Sequence, residues 1–307
     1  MVLSPWNHDR SRNDDLVPDG GKADDANDEG RNAEEGDDRV GLVWRLAAVF
    51  AGVTAIWLLI FVMSDAVFEP GYSRPGHVTS AVLATVLTVP LVVLARRRLD
   101  KRPLAGLGLT PLRTAWHSFL LGIGCYLLPA GAGLGAALAF GWVELSLNTS
   151  VGNLVFLLLS LAVLVFLYEA LPEELAFRGY FYRNLSASFS RWLAVGGQAV
   201  LFCLWAVVIG AAPAPERLLI FFFMAIVIGA IRVITGDLWA CIGFHLAFQT
   251  VQQFFAGGWA NQPFVVSDPV ILVNIVFGLV PLALAVLVLR LVVNEDVEWR
   301  SSEPDPA

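Results

Sequence analysis

Tyr168-Glu169-Ala170-Leu171-Pro172-Glu173-Glu174-Leu175-Ala176-Phe177-Arg178-Gly179 closes an eighteen-residue run, Val151 to Tyr168, whose only polar side chains are Asn153 and Ser160. Three carboxylates and an arginine at the end of such a run are costly. One central Asp, Lys or Arg in a membrane helix costs about 2.5–3.5 kcal/mol, so intramembrane charge marks a functional site by default. Spacing sorts the roles. Glu174 and Arg178 are i,i+4 in the favourable order for an ion pair. Glu173 lies about 100° round the helix and lacks that partner. A carboxylate held in an apolar cavity without a counter-ion is suited to act as a general base. The alternative reading is that both glutamates are paired, inert bundle glue.

Composition agrees with a membrane setting. The 307 residues are 57% hydrophobic and 15% charged, with mean hydropathy +0.67, which belongs to a polytopic membrane protein. The net charge of −7 resides in residues 1–40, which hold twelve Asp or Glu against five Lys or Arg; the remainder carries fifteen of each. That acidic stretch has almost no apolar content and is expected to be a disordered cytoplasmic tail, not a signal peptide. Cys125, Cys203 and Cys241 all fall in apolar runs and read as small buried hydrophobes.

Working outward, apolar spans are predicted at Leu42–Ser64, His77–Ala95, Phe119–Trp142, Val151–Leu171, Trp192–Ala212, Leu218–Ile231, Leu238–Phe255 and Val270–Val293, eight in all. The fold class is therefore all-α, a polytopic transmembrane bundle over 41–295, followed by a short cytoplasmic tail, 296–307. The sixth span, at fourteen residues, reads as tilted, buried or re-entrant. Gly131 and Gly135 form a GxxxG expected to pack closely against another helix.

Arg96, Arg97, Arg98, Lys101, Arg102 and Arg113 lie between spans two and three. Arg178, Arg183 and Arg191 lie between four and five, and only Arg74 and Arg217 fall on the other side. The positive-inside rule then puts both termini in the cytoplasm of an inner (plasma) membrane protein, with the charged cluster in the cytoplasmic half. No basic-aromatic surface suggests nucleic acid, and the sequence is silent on oligomeric state.

His245 is the one histidine deep in an apolar span. Gln249 and Gln252, at i+4 and i+7, share its face. Such a stripe must face the bundle interior or a wet cavity. His and Gln can donate to a developing oxyanion; an interhelical hydrogen-bonding ladder is the other reading. Thr235-Gly236-Asp237 reads as a helix stop followed by an N-cap.

Together, Glu173-Glu174-x-x-x-Arg178-Gly179, Gly236-Asp237-Leu238-Trp239 and His245-x-x-x-Gln249 resemble the motifs of the CPBP (CAAX protease and bacteriocin-processing, or ABI) family, over roughly Arg102 to Phe255. The resemblance implies an intramembrane endopeptidase acting on a peptide or membrane-protein substrate. It implies that Glu173 activates water, that Glu174 and Arg178 support it, and that His245 is the histidine of the family's HxxxN motif. Gln249 stands where the family has asparagine. The FxxxH motif aligns with Phe202-Cys203-Leu204-Trp205-Ala206, so its histidine is Ala206.

A catalytic zinc normally has three protein ligands. With one deep histidine, no cofactor is expected and zinc is disfavoured; Glu173 would activate water while His245 and Gln249 steady the oxyanion. Ala206 is expected to line the same cavity. The alternative function is a catalytically impaired pseudoprotease, serving as a membrane scaffold or immunity protein.

Overall fold

The computed structural model describes residues 39–256, 262–294 and 296–305. The acidic segment expected over residues 1–40 lies outside them, apart from Arg39 and Val40. The described residues are almost wholly helical. Long helices follow one another as α1 (Leu42–Val67), α2 (Arg74–Arg98), α3 (Leu112–Ala139), α4 (Val151–Ser188), α5 (Arg191–Val208), α6 (Pro215–Thr235), α7 (Leu238–Phe255) and α8 (Ile271–Val292). Two three-residue strands, β1 (Leu145–Leu147) and β2 (Phe264–Val266), pair antiparallel and tie the loop before α4 to the loop before α8.

Seven of these helices are long and apolar enough to cross a membrane; α7 is not among them. Its polar residues, His245, Gln249, Gln252 and Gln253, lower its apolarity. The helix tolerates them because α3, α4, α6 and α8 surround it. Most of its residues are buried, so its polar groups meet protein rather than lipid.

Two expected boundaries change. The sixth span is a full helix of 21 residues, Pro215–Thr235, not a fourteen-residue piece. Pro215 and Glu216 start its first turn, and Gly236 at φ +65° ends it in the left-handed conformation. Apolarity alone missed both ends. Helix α4 does not stop near Leu171 but runs on through the charged cluster to Ser188. At 38 residues it is about 57 Å long, against about 30 Å of hydrocarbon.

The expected GxxxG contact is absent. A Cβ at Gly131 or Gly135 would meet open space. The close approach is instead between α3 and α7. A Cβ at Gly122 would overlap the Ala240 carbonyl, and one at Gly243 the Phe119 carbonyl. These two isolated glycines let the backbones of α3 and α7 touch, which fixes how α7 sits.

The C-terminal segment is also more than a tail. Residues 296–305 dock on the arginine-rich end of the bundle. The carboxylate of Glu303 accepts from Arg183 Nη1 at 2.6 Å and from the Tyr182 hydroxyl at 3.0 Å. Asp305 takes both terminal nitrogens of Arg96, at 2.5 and 2.7 Å. Beneath it, buried Asp100 collects Arg45 at 3.1 Å, Arg96 at 3.2 Å, Asn184 at 3.0 Å and the Tyr180 hydroxyl at 3.0 Å. Acidic residues near the C-terminus find arginines that the bundle has already oriented, so this end is closed.

Candidate active site

Helix α4 changes pitch around the site. A π turn covers Phe166–Ala170, one α turn covers Leu171–Glu174, and a second π stretch covers Leu175–Phe181. The first has a local cause. Pro172 has no N–H for the Tyr168 carbonyl, and Leu171 N–H bonds Phe166 O, five residues back. The Leu167 carbonyl, left over by that shift, accepts the Thr85 hydroxyl of α2. Such π insertions occur frequently at functional sites. Here they carry Glu169, Glu173, Glu174 and Arg178 into the interior.

Helix α7 is set at its first turn. The Asp237 carboxylate accepts from Trp239 N at 2.9 Å and, through its other oxygen, from Thr110 Oγ1 at 2.9 Å. The Leu238 N–H donates to Gly108 O at 2.7 Å and the Trp239 indole to Thr110 O at 3.2 Å. The N-cap thus pins α7 to the segment before α3 and fixes the depth of His245, two turns on.

The two helices meet at His245. Its Nδ1 lies 2.7 Å from Glu174 Oε1, which also accepts from Arg178 Nη1 at 2.9 Å. Its Nε2 lies 3.9 Å from Glu173 Oε2. Arg178 is fully buried and stacks over Phe202 at 5.0 Å. A carboxylate on the Nδ1 side selects the tautomer protonated there, leaving Nε2 as an acceptor facing Glu173. Glu173 is buried yet makes no hydrogen bond to any described residue. Among the expected residues, Glu173, Glu174, Arg178 and His245 are in mutual reach.

Gln249 joins through a residue the sequence reading left without a role. Its Nε2 donates to Glu169 Oε2 at 2.5 Å, and Gln253 donates to Glu169 Oε1 at 2.7 Å. Gln252, expected on the same face, turns to the Val273 carbonyl of α8 at 3.0 Å. The available signal was spacing: Glu169 is i−4 from Glu173, and Gln253 is i+4 from Gln249.

A cavity of about 100 Å³ lies between these groups, lined among others by Glu173, His245, Gln249, Phe202 and Trp205. Ala206 is not part of its lining; it is completely buried in the core. The expected vacancy at that position is therefore absent, because Trp57, Phe177 and Phe202 pack round neighbouring Trp205 with ring centroids 5.1–5.8 Å away. Trp205 Nε1–H is buried and has no acceptor among the described residues. The Trp205 indole, not Ala206, forms the cavity wall at this turn of α5.

Among the described residues, no three His, Cys, Asp or Glu are grouped to hold a metal ion. His245 Nδ1 is committed to Glu174, whose Oε1 is shared with Arg178, so the cavity offers one histidine nitrogen, Glu173, and Glu169, whose oxygens already accept from Gln249 and Gln253.

Two helices of a bundle with membrane-length apolar helices thus enclose a carboxylate–histidine cluster. Residues 152–251, less than half of the chain, match the family model described as type II CAAX prenyl endopeptidase Rce1-like, a family of membrane hydrolases to which this part of the chain is similar. The match runs from the start of α4 through most of α7 and contains Glu169, Glu173, Glu174, Arg178, Trp205, His245 and Gln249. No curated protein matches the chain.

Proposed function

We propose that the chain hydrolyses a peptide bond in a membrane-associated substrate with water activated by Glu173, without a metal. The observation that carries this reading is the 3.9 Å gap between Glu173 Oε2 and His245 Nε2, with the other histidine nitrogen fixed on Glu174. The gap is too long for a direct hydrogen bond and suits a water touching both acceptors. Glu173 takes a proton as the water oxygen bonds the carbonyl carbon. The oxyanion is met by the Gln249 amide hydrogen that Glu169 does not use. Collapse breaks the C–N bond, and the proton passes from Glu173 to the leaving amine. Glu174 and Arg178 are positioning residues that hold the imidazole.

The arginine distribution supports a plasma-membrane protein with both termini in the cytoplasm. The test is peptide cleavage by purified protein, with Glu173→Gln as its pair and elemental analysis on the same sample. Cleavage that disappears in Glu173→Gln, without stoichiometric metal, is expected. Zinc lost on His245→Ala would overturn the metal-free mechanism. Replacement of the motif histidine by buried Ala206 favours a second reading, a pseudoprotease; substrate binding without any cleavage would decide for it.

A further inference from the structure

The catalytic pocket has a neighbour, a cleft of about 1060 Å³. Tyr168, Glu169, Arg217, Phe221 and Gln249 line both, so the two spaces meet at the Glu169–Gln249 pair. The rest of the cleft is built from one end of the bundle: the end of α1, the 68–73 loop, the starts of α2, α6 and α8, and the end of α7. This is the end opposite Arg96–Arg98. At the arginine-rich end, the approach to Glu174 is stopped by fully buried Arg178 and by the Asp100 network, with residues 296–305 docked over it. Charge on the cleft is one-sided as well. Asp65, Glu69 and Glu216 are exposed at its mouth and Glu169 is at its floor, against the single arginine Arg217.

We infer that the substrate enters from the arginine-poor end, which the positive-inside rule makes the extracytoplasmic face, and that it is an extended peptide segment carrying net positive charge. Glu173 does lie nearer the arginine-rich end of α4, but the cleft that adjoins its pocket across the Glu169–Gln249 pair lies at the other end. The cleft volume exceeds that of a single side chain and lies at the upper limit of pockets for drug-sized ligands, about 300–1,000 Å³, which leaves room for several residues of a peptide. A carboxylate-lined mouth concentrates cationic segments and disfavours acidic ones. The identity of the ligand rests on the protease reading; the route does not, and it is measured separately.

The route is tested by thiol accessibility on the full chain, with Cys125, Cys203 and Cys241 replaced by alanine. Ser80→Cys reports the cleft and Ser302→Cys the arginine-rich end. A membrane-impermeant methanethiosulfonate is expected to label Ser80→Cys in intact cells and Ser302→Cys only in inverted vesicles. Labelling of Ser80→Cys only in inverted vesicles, or from neither side, overturns the route. The charge preference is tested with two peptides of equal length, one lysine-rich and one glutamate-rich. Glu69→Lys combined with Glu216→Lys is expected to raise KM for the lysine-rich peptide about tenfold, with kcat unchanged. An unchanged KM overturns the charge assignment. If neither peptide is cleaved, the protease reading fails on its own, and binding of the same peptides to Glu173→Gln decides the charge assignment instead.

Discussion

His245 holds its Nδ1 2.7 Å from Oε1 of Glu174, 71 positions away in sequence. That contact separates two adjacent glutamates into different jobs. Glu174 Oε1 takes both His245 and Arg178, whereas no hydrogen bond joins the Glu173 carboxylate to a described residue; in the proposed mechanism its oxygens hold the reacting water. Glu173→Gln is therefore expected to fold with unchanged thermal stability and to lose about 10²–10⁴-fold in turnover. Glu174→Gln is expected to lower stability by about 3–5 kcal/mol, since it strands the buried Arg178. Thermal unfolding and turnover on both variants check this; equal stability loss in the two would remove the division of roles.

Position 206 gives a second expectation. Ala206 is in the packed core beside Trp205, so Ala206→His meets side chains, not a vacant site. It is expected to cost about 1–3 kcal/mol by overpacking and not to raise cleavage. Trp205→Phe removes an N–H that has no acceptor among the described residues. It is expected to leave stability unchanged and, if the indole meets the substrate carbonyl, to lower turnover by up to about 10²-fold. A rise in cleavage in Ala206→His would show that the vacancy exists after all.

The helix contact that seats His245 can be tested without touching the site. Gly122→Ala and Gly243→Ala each push a methyl into a facing carbonyl and are expected to destabilise the bundle by about 1–3 kcal/mol. Gly131→Ala and Gly135→Ala meet open space and are expected to cost nothing. Denaturation in detergent compares the four. A cost at Gly131 or Gly135 matching that at Gly243 would contradict the packing described.

These contrasts mark what was legible. The helical bundle, the i,i+4 pairing of Glu174 with Arg178 and the polar stripe of α7 follow from spacing, because charge in an apolar run has few partners within reach. The Glu169–Gln253 contact was not legible. It depends on a π turn that Pro172 imposes, and on α7 presenting Gln253 instead of Gln252. Gly122 and Gly243 escaped because one glycine per helix makes no motif; their meaning lies in what faces them. The GxxxG at 131–135 misled for the same reason. Docking of residues 296–305 was equally hidden, since it joins acidic residues to arginines more than a hundred positions away.

That docking should respond to pH. Burial opposes the charged form of Glu303, but Arg183 and Arg232, with hydrogen bonds from Tyr182 and Arg183, outweigh it and hold its carboxyl below the usual carboxylate range. A group with a depressed folded-state pKa contributes stability above its unfolded pKa and loses it as pH falls through the folded value. The Glu303 contribution is therefore expected in full at neutral pH. It should fade only on acidification below the unfolded value, about 4.3 for a glutamate. At pH 7, Glu303→Gln is expected to lower stability by about 1.5–3 kcal/mol, the range for hydrogen bonds to charged groups. The stability difference between wild type and Glu303→Gln, measured by thermal unfolding from pH 7 downward, should close at the acid end. A difference that persists unchanged below that range, or grows, would mean the C-terminal segment is held by its backbone bonds to Ser186 and Arg191 and not by this carboxylate.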